Sequence, residues 1–270
     1  MAPKKASKPT PSEPEQPSPS PPNTAHDLGP VPTAEQLNTA LRRRSSTTAE
    51  TYAAYGATEA LIEECASQAA YTMSEQGPSD ASSASPEQGQ AARSGCWWYA
   101  ADGGALPPTF AAWAHVSFLH MWIVLARLRL LPAAAAPLWV QHLTDHFFAR
   151  AERNMDVLHG ITVARVRAKY LKDLFEQWRG VTAAYDEGLV KGDAVLAAAV
   201  WRNVFSGAED VDPVALAMVV SYLRREVARV GRLPEHVIAS GRIGFGSPAD
   251  EKSTVLMESR LMKEPFAEPS

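Results

Sequence analysis

Between Leu106 and Leu233 apolar residues recur at helical spacing with few interruptions. The most apolar stretch comes first. From Phe110 to Ala126 there is no Lys, Arg, Asp or Glu, and the segment closes in "HVSFLHMWIVLARLR", His115 to Arg129. Thr109 is placed to cap a helix that runs to about Leu131, where Pro132 stops it. Pro137 suits the first turn of the next helix, which ends near Gly160. A long helix follows, with Val163, Val166, Tyr170, Leu174, Trp178, Val181 and Tyr185 in one stripe over six turns. Gly188 and Gly192 flank its end, and Asp193 is placed to cap "AVLAAAVWRNVF". Asp212 and Pro213 open a last helix, striped by Leu216, Val220, Leu223, Val227 and Val230 and ended by Gly231. No strand pair shows clear alternation with a hairpin turn. The pattern predicts an all-α, compact, bundle-like domain, helices antiparallel through short loops, with no internal repeat.

The N-terminal side is less regular. Ten of the 21 prolines lie before position 33, so residues 1–32 are expected to be a disordered Pro-rich tail. Thr33 with Gln36 resembles a capping box, which predicts a short basic helix to about Arg44. "AETYAAYGATEALIEECASQAAY" predicts two more short helices broken near Gly56, with Leu61, Ile62, Cys65 and Ala69 on one face. Residues 73–96 are small, polar and rich in Gly and Pro, and read as a flexible linker or insertion. The expected organisation is then 1–32 tail, 33–72 short helices, 73–96 linker, 97–248 helical domain and 249–270 C-terminal tail.

Composition changes the picture in one respect. The formal charge of the 270 residues is −4, which predicts no strong nucleic-acid field from the whole chain. The charge is nevertheless uneven: residues 105–246 carry a net +3 and the flanks about −7. A mildly basic body between acidic flanks suits a protein near an anionic surface, phospholipid or RNA. The two cysteines, Cys65 and Cys96, stand in unrelated contexts without a C-x-x-C, which argues against a disulfide framework or a structural zinc site.

Few residues invite chemistry. His142 and His146 share a helical face with Asp145 between them, half of a metal site; Leu143 stands where a zinc protease would carry Glu, and no third ligand follows at a known spacing, although His159 could approach. His115 and His120 are about 140° apart on a helix and do not share a face. There is no G-x-S-x-G, no Walker A loop and no G-x-G-x-x-G. In "AYDEG", Asp186 and Glu187 fall in the last turn expected for the long helix, where the macrodipole disfavours negative charge by a few tenths to about 1 kcal/mol. They call for a cation, which Arg127, Arg129 or Arg202 could supply. Adjacent residues point about 100° apart, so the pair makes a poor acid/base dyad.

Several segments together resemble the ubiquinol–cytochrome c chaperone family. They are "LPPTFAAWAHVSFLHMWIVLARLRLLP", "YLKDLFEQWRGVTAAYDEGLVKGDAVLAAAVWRNVF" and "GRIGFGSP", preceded by "TAETYAAYGATEALIEECASQAAY". The likeness covers roughly residues 48–72 and 97–248. It implies an all-helical, non-enzymatic chaperone without cofactor, on the matrix side of the mitochondrial inner membrane. Such proteins work with a small partner at the mitochondrial ribosome exit and hold newly made cytochrome b. The Pro-rich start, with Glu13, Glu15 and Asp27, departs from the expected targeting peptide, and the 74–95 insert is specific to this chain's lineage.

On this reading the apolar stretch is a buried central helix, just short of the roughly 18–20 apolar residues of a membrane span. His120 then makes a polar contact, and Arg127 and Arg129 emerge at the C-terminal end. The candidate contacts for client or partner are His120, Trp122, Arg127, Arg129, Asp186, Glu187, Trp201 and Arg202. Two other classes compete: a helical metal- or haem-binding protein using His142, His146 and His159, and an adaptor at a ribosome or membrane surface.

Overall fold

The computed structural model describes residues 34–73, 90–92 and 95–258, with side chains in 48–73 and 95–258. The expected tail at 1–32, the Thr33 capping box and most of the 74–95 insert lie outside the described residues. The chain divides into two units, 1–44 and 45–270. Of the first, the backbone of residues 34–44 is described, as helix. The second contains the core.

Among the described residues there are eight α-helices and two short strands, so the fold is all-α. The elements are α1 (Ala34–Ser67), β1 (Tyr71–Met73), β2 (Gln90–Ala92), α2 (Phe110–Leu128), α3 (Ala136–Val157), α4 (Ala164–Lys191), α5 (Asp193–Asn203), α6 (Pro213–Gly231), α7 (Glu235–Ala239) and α8 (Lys252–Val255), with a 3-10 turn at Pro248–Glu251.

Helix α2 is the centre. Thr109 caps it, accepting from the Ala112 N–H at 3.2 Å. It is the one described helix long and apolar enough to cross a membrane, yet 15 of its 19 residues are buried inside the protein. α3, α4 and α6 pack on it, and α1 is tied to it where the Trp113 indole N–H donates to the Ala66 carbonyl at 3.1 Å. A helix apolar all round needs such a surround.

Several boundaries differ from expectation, each for a local reason. α1 is one helix, with Gly56 in its interior; a single helical Gly costs about 1 kcal/mol, too little to break a helix packed on a core. β1 and β2 pair antiparallel, Tyr71 opposite Ala92 and Met73 opposite Gln90, at the two ends of the expected linker. Three residues per strand leave no alternation to read in sequence. The 249–270 tail does not begin at 249: Arg225 on α6 pairs with Glu251, which is buried, and docks the 3-10 turn and α8 on α6.

Helix α4 also departs from its stripe. Leu174, Trp178, Val181 and Tyr185 are buried as expected, but Val163, Val166 and Tyr170 are exposed. At 28 residues α4 is about 42 Å long, against about 28 Å for α2, so its first turns run past the core. Its C-terminal end is equally instructive. α4 continues through Gly188 to Lys191, and a Cβ on Gly188 would lie 2.6 Å from the Leu196 Cα. Gly188 lets α4 and α5 approach; it does not end the helix. Asp193 is the first residue of α5 and makes no cap bond.

Replacing Trp178 by Ala should destabilise the protein by about 3–5 kcal/mol, because its indole is packed against Phe118 in the core. Denaturant unfolding measures this, and an unchanged midpoint would mean that α4 does not pack as described.

Candidate functional site

The candidate residues separate into interior and surface groups. His120, on the face of α2 toward α6, has no exposed surface. Its Nδ1 lies 2.7 Å from the Val116 carbonyl, which can only accept, so Nδ1 carries the proton. Nε2, 2.9 Å from the Tyr222 hydroxyl, therefore accepts from it. The rings of Trp98 and Phe245 stand edge-on to the imidazole. Burial lowers the His120 pKa to about 4, against which the Val116 bond acts weakly. Burial likewise raises the pKa of Tyr222 and keeps its hydroxyl protonated.

Trp122 and Arg127 are interior too. Arg127 does not emerge at the end of α2. It turns back and donates from Nε and a terminal nitrogen to the Leu233 carbonyl, at 3.2 and 3.0 Å, beyond the end of α6. In this fold His120, Trp122 and Arg127 have almost no surface to offer a partner, and the contact role assigned to them is corrected to one in the core. The cause is α2 itself, which is surrounded on all sides.

The surface group forms a corner where the end of α2 meets α4. Arg129 makes a two-pronged bond to Asp186, at 2.7 and 2.9 Å, and the buried Trp122 indole N–H donates to the same carboxylate at 2.9 Å. Partial burial acts upward on the Asp186 pKa, but the bonds from Arg129 and Trp122 and the Arg129 charge outweigh it and hold it below the usual range. Of the three cations proposed for this pair, Arg129 is the one bonded to Asp186. Glu187 faces elsewhere. It accepts from Lys191 one turn on, at 2.6 Å; that bond and charge, with a weaker field from Arg202, lower its pKa. Because α4 runs on to Lys191, the carboxylates sit one turn inside its end.

That end has a cation that sequence reasoning missed. Arg224 on α6 donates to the Leu189 and Gly188 carbonyls, at 3.0 and 3.3 Å, and to Asp193 at 2.7 Å. It satisfies the open end of α4 and joins α4, α5 and α6 at once. The Arg224-Arg225 pair followed by Glu226 within an apolar stripe was the available signal. Glu226 is buried and held by Arg229, which also donates to the Ile243 carbonyl at 3.0 Å and to Gly244. This fastens "GRIGFGSP" over His120. Gly241 there has φ +69, and a Cβ would meet Ala60 of α1 at 2.5 Å.

Beside the corner is an open hollow of about 280 Å³, floored by Leu125, Val140 and Trp178 and edged by Asp186. Trp201 does not reach into it; its indole donates to the Ala208 carbonyl at 2.7 Å and closes the turn after α5.

His142 and His146 are half-buried against α1, with the Tyr55 ring 5.5 and 4.4 Å from theirs, not on an open face. His159 is engaged by the Tyr71 hydroxyl at 2.6 Å. Among the described residues no group of three His, Cys, Asp or Glu is arranged to hold a metal.

These features define a class: an all-helical domain wound on one buried apolar helix whose inward polar side chains are bonded, with an ion-paired corner where the end of that helix meets α4. The match with known proteins identifies the family. The chain belongs to the ubiquinol-cytochrome C chaperone family, whose model matches residues 103–245 and so ends on Phe245, the ring against His120.

Protein CBP3, mitochondrial, of Saccharomyces cerevisiae is 35% identical over 164 residues, 60% of this chain and 49% of that protein. Ubiquinol-cytochrome-c reductase complex assembly factor 1 of Xenopus laevis is 28% identical over 140 residues, 52% of this chain and 68% of that protein. Its Homo sapiens counterpart is 24% identical over 149 residues, 55% and 48% of the two chains. The chain thus spans about half the length of the yeast and human relatives. The crystal structure of the Cbp3 homolog from Brucella abortus has the same fold, with a TM-score of 0.51 at 19% identity, covering 79% of this chain and 98% of that one.

Two measurements test the site. The folded pKa of His120 lies below the unfolded 6.5, so below that pH the unfolded chain binds a proton that the folded chain refuses. The stability from this group is complete above about pH 6.5 and declines by about 3 kcal/mol as pH falls toward 4. Urea unfolding across that range should show a shallower decline for His120→Asn than for the parent; equal slopes would mean that His120 is not held neutral. Separately, Asp186→Ala should cost about 1–3 kcal/mol by leaving the buried Trp122 N–H without its acceptor. Glu187→Gln should leave the midpoint unmoved, and equal effects of the two would refute the division of the corner.

Proposed function

We propose that this chain is a non-enzymatic assembly chaperone for ubiquinol–cytochrome c reductase. It acts in mitochondria, on the matrix side of the inner membrane and in peripheral contact with it. There it binds newly made cytochrome b near the mitochondrial ribosome, together with a small partner protein. The observation that carries the reading is the family match over residues 103–245, which takes in all of α2 to α6. The names of the relatives support it: a mitochondrial protein in yeast and reductase-complex assembly factors in animals.

Within the domain the corner supplies the contact surface. The hollow beside Asp186 combines an apolar floor, Leu125, Val140 and Trp178, with the charged rim of Arg179 and Asp186. An apolar centre inside a polar rim is the usual anatomy of a protein-binding patch. Glu187, Arg202 and Trp201, at the end of α4 and on α5, lie outside the hollow and are contact candidates of their own, and unscreened charge there contributes most at low salt.

Affinity-tagged full-length protein, recovered from mitochondria in mild detergent, should retain cytochrome b and a small partner. Asp186→Asn with Glu187→Gln keeps shape, and should lower cytochrome b recovery by several fold at low salt while the protein stays folded. Absence of cytochrome b from the parent eluate would overturn the function. Full recovery with the folded variant would move the contact away from this corner.

A further inference from the structure

Helix α4 begins outside the core, and its first turns have a composition that the chaperone reading does not use. Of residues 164–173 only Arg167 and Leu171 are other than exposed. Val163, Val166 and Tyr170, spaced i, i+3, i+7, form one apolar face and are 59%, 41% and 52% exposed. Arg165, Lys169 and Lys172, spaced i, i+4, i+7, form the face beside it, and all three are exposed. Residues 163–172 contain no Asp or Glu; Asp173, next in sequence and exposed, pairs with none of these cations among the described residues. Arg165 and Lys169 take part in no ion pair among the described residues, and Lys172 reaches Glu176 only at 3.9 Å. The platform is firmly held: Arg167 is turned back onto Glu152 and Asp156 of α3 and onto the Ile161 and Thr162 carbonyls.

We propose that residues 163–172 are a docking face for an anionic phospholipid bilayer. The inference deepens the peripheral membrane contact proposed above and rests on it. A helix with apolar and cationic faces side by side lies in the interface plane, apolar residues sunk to the acyl boundary and cations among the phosphates. Val163 and Val166 fill the first role, Tyr170 sits at headgroup level with its hydroxyl in water, and Arg165, Lys169 and Lys172 meet the anionic charge. Charge complementarity selects this occupant. A nucleic-acid backbone would use the cations alone and leave three apolar side chains in water.

The test uses the full chain without client. It should sediment with vesicles of phosphatidylcholine containing about 30 mol% phosphatidylglycerol, stay in solution with phosphatidylcholine alone, and release in about 0.5 M salt. Arg165→Glu with Lys169→Glu should weaken binding at least about tenfold, and Arg165→Gln with Lys169→Gln, which keeps strong helix formers, should weaken it less. Val166→Ser with Tyr170→Ser should weaken it several fold, with little change in thermal midpoint because both side chains are exposed. No binding by the parent overturns the proposal. So does loss in the charge variants with full binding by the Ser variant, which is adsorption of a polyanion, as RNA would give. Cytochrome b recovery in detergent should be unchanged in all these variants, so failure of the client reading and failure of the docking face give different results.

Discussion

The burial of α2 sets the terms for the rest of the structure. Its 19 residues hold one ionised side chain, Arg127, and no stretch of its surface is polar enough to face water. α1, α3, α4 and α6 surround it, and each polar group it carries inward needs a partner there. Ser117 bonds back to the Trp113 carbonyl, His120 takes Tyr222, Trp122 takes Asp186, and Arg127 takes the Leu233 carbonyl. A buried polar group without a partner costs about 1–3 kcal/mol, so the three bonds that leave α2, from His120, Trp122 and Arg127, fix how α4 and α6 are turned against it. The length that would suit a membrane helix here serves to reach every neighbour.

The end of α4 shows how a local electrostatic conflict is settled by neighbours. Carboxylates near a helix C-terminus oppose its dipole. Arg129 comes from the end of α2, Lys191 from the next turn and Arg224 from α6, and the carbonyls and carboxylates are answered together. Asp186 has two duties, one toward the buried Trp122 and one toward the exposed Arg129. This makes the corner both a structural joint and a charged rim beside an apolar hollow.

A chaperone that holds a membrane protein before assembly needs surface for a client and a place to stand. On the proposals made here those surfaces lie along one helix. The C-terminal half of α4 edges the hollow through Trp178 and Asp186, and its N-terminal turns present the basic, apolar strip. Tyr170 and Asp186 are about 24 Å apart along the helix, and membrane contact and client contact use different residues of it.

The sequence by itself determined the helical class, most helix ends and the central place of α2. These depend on local signals: apolar spacing, the Thr109 and Asp212 caps, and Pro132, Pro137 and Pro213. The cation demanded near Asp186 was legible too, as a choice among three arginines. What only the tertiary structure decided was which partners met across long separations. Arg129 took Asp186, Tyr222 took His120 and Arg224 took the end of α4, because helix directions bring those residues together and no periodicity encodes the pairing. The same reason underlies the corrections. A helical stripe reports that a face is apolar; whether a neighbour covers it depends on where the core stops, which is why Tyr170 is exposed and Trp178 is not. A glycine reports conformational freedom; whether it ends a helix or admits a neighbour, as Gly188 admits Leu196, depends on what packs beside it.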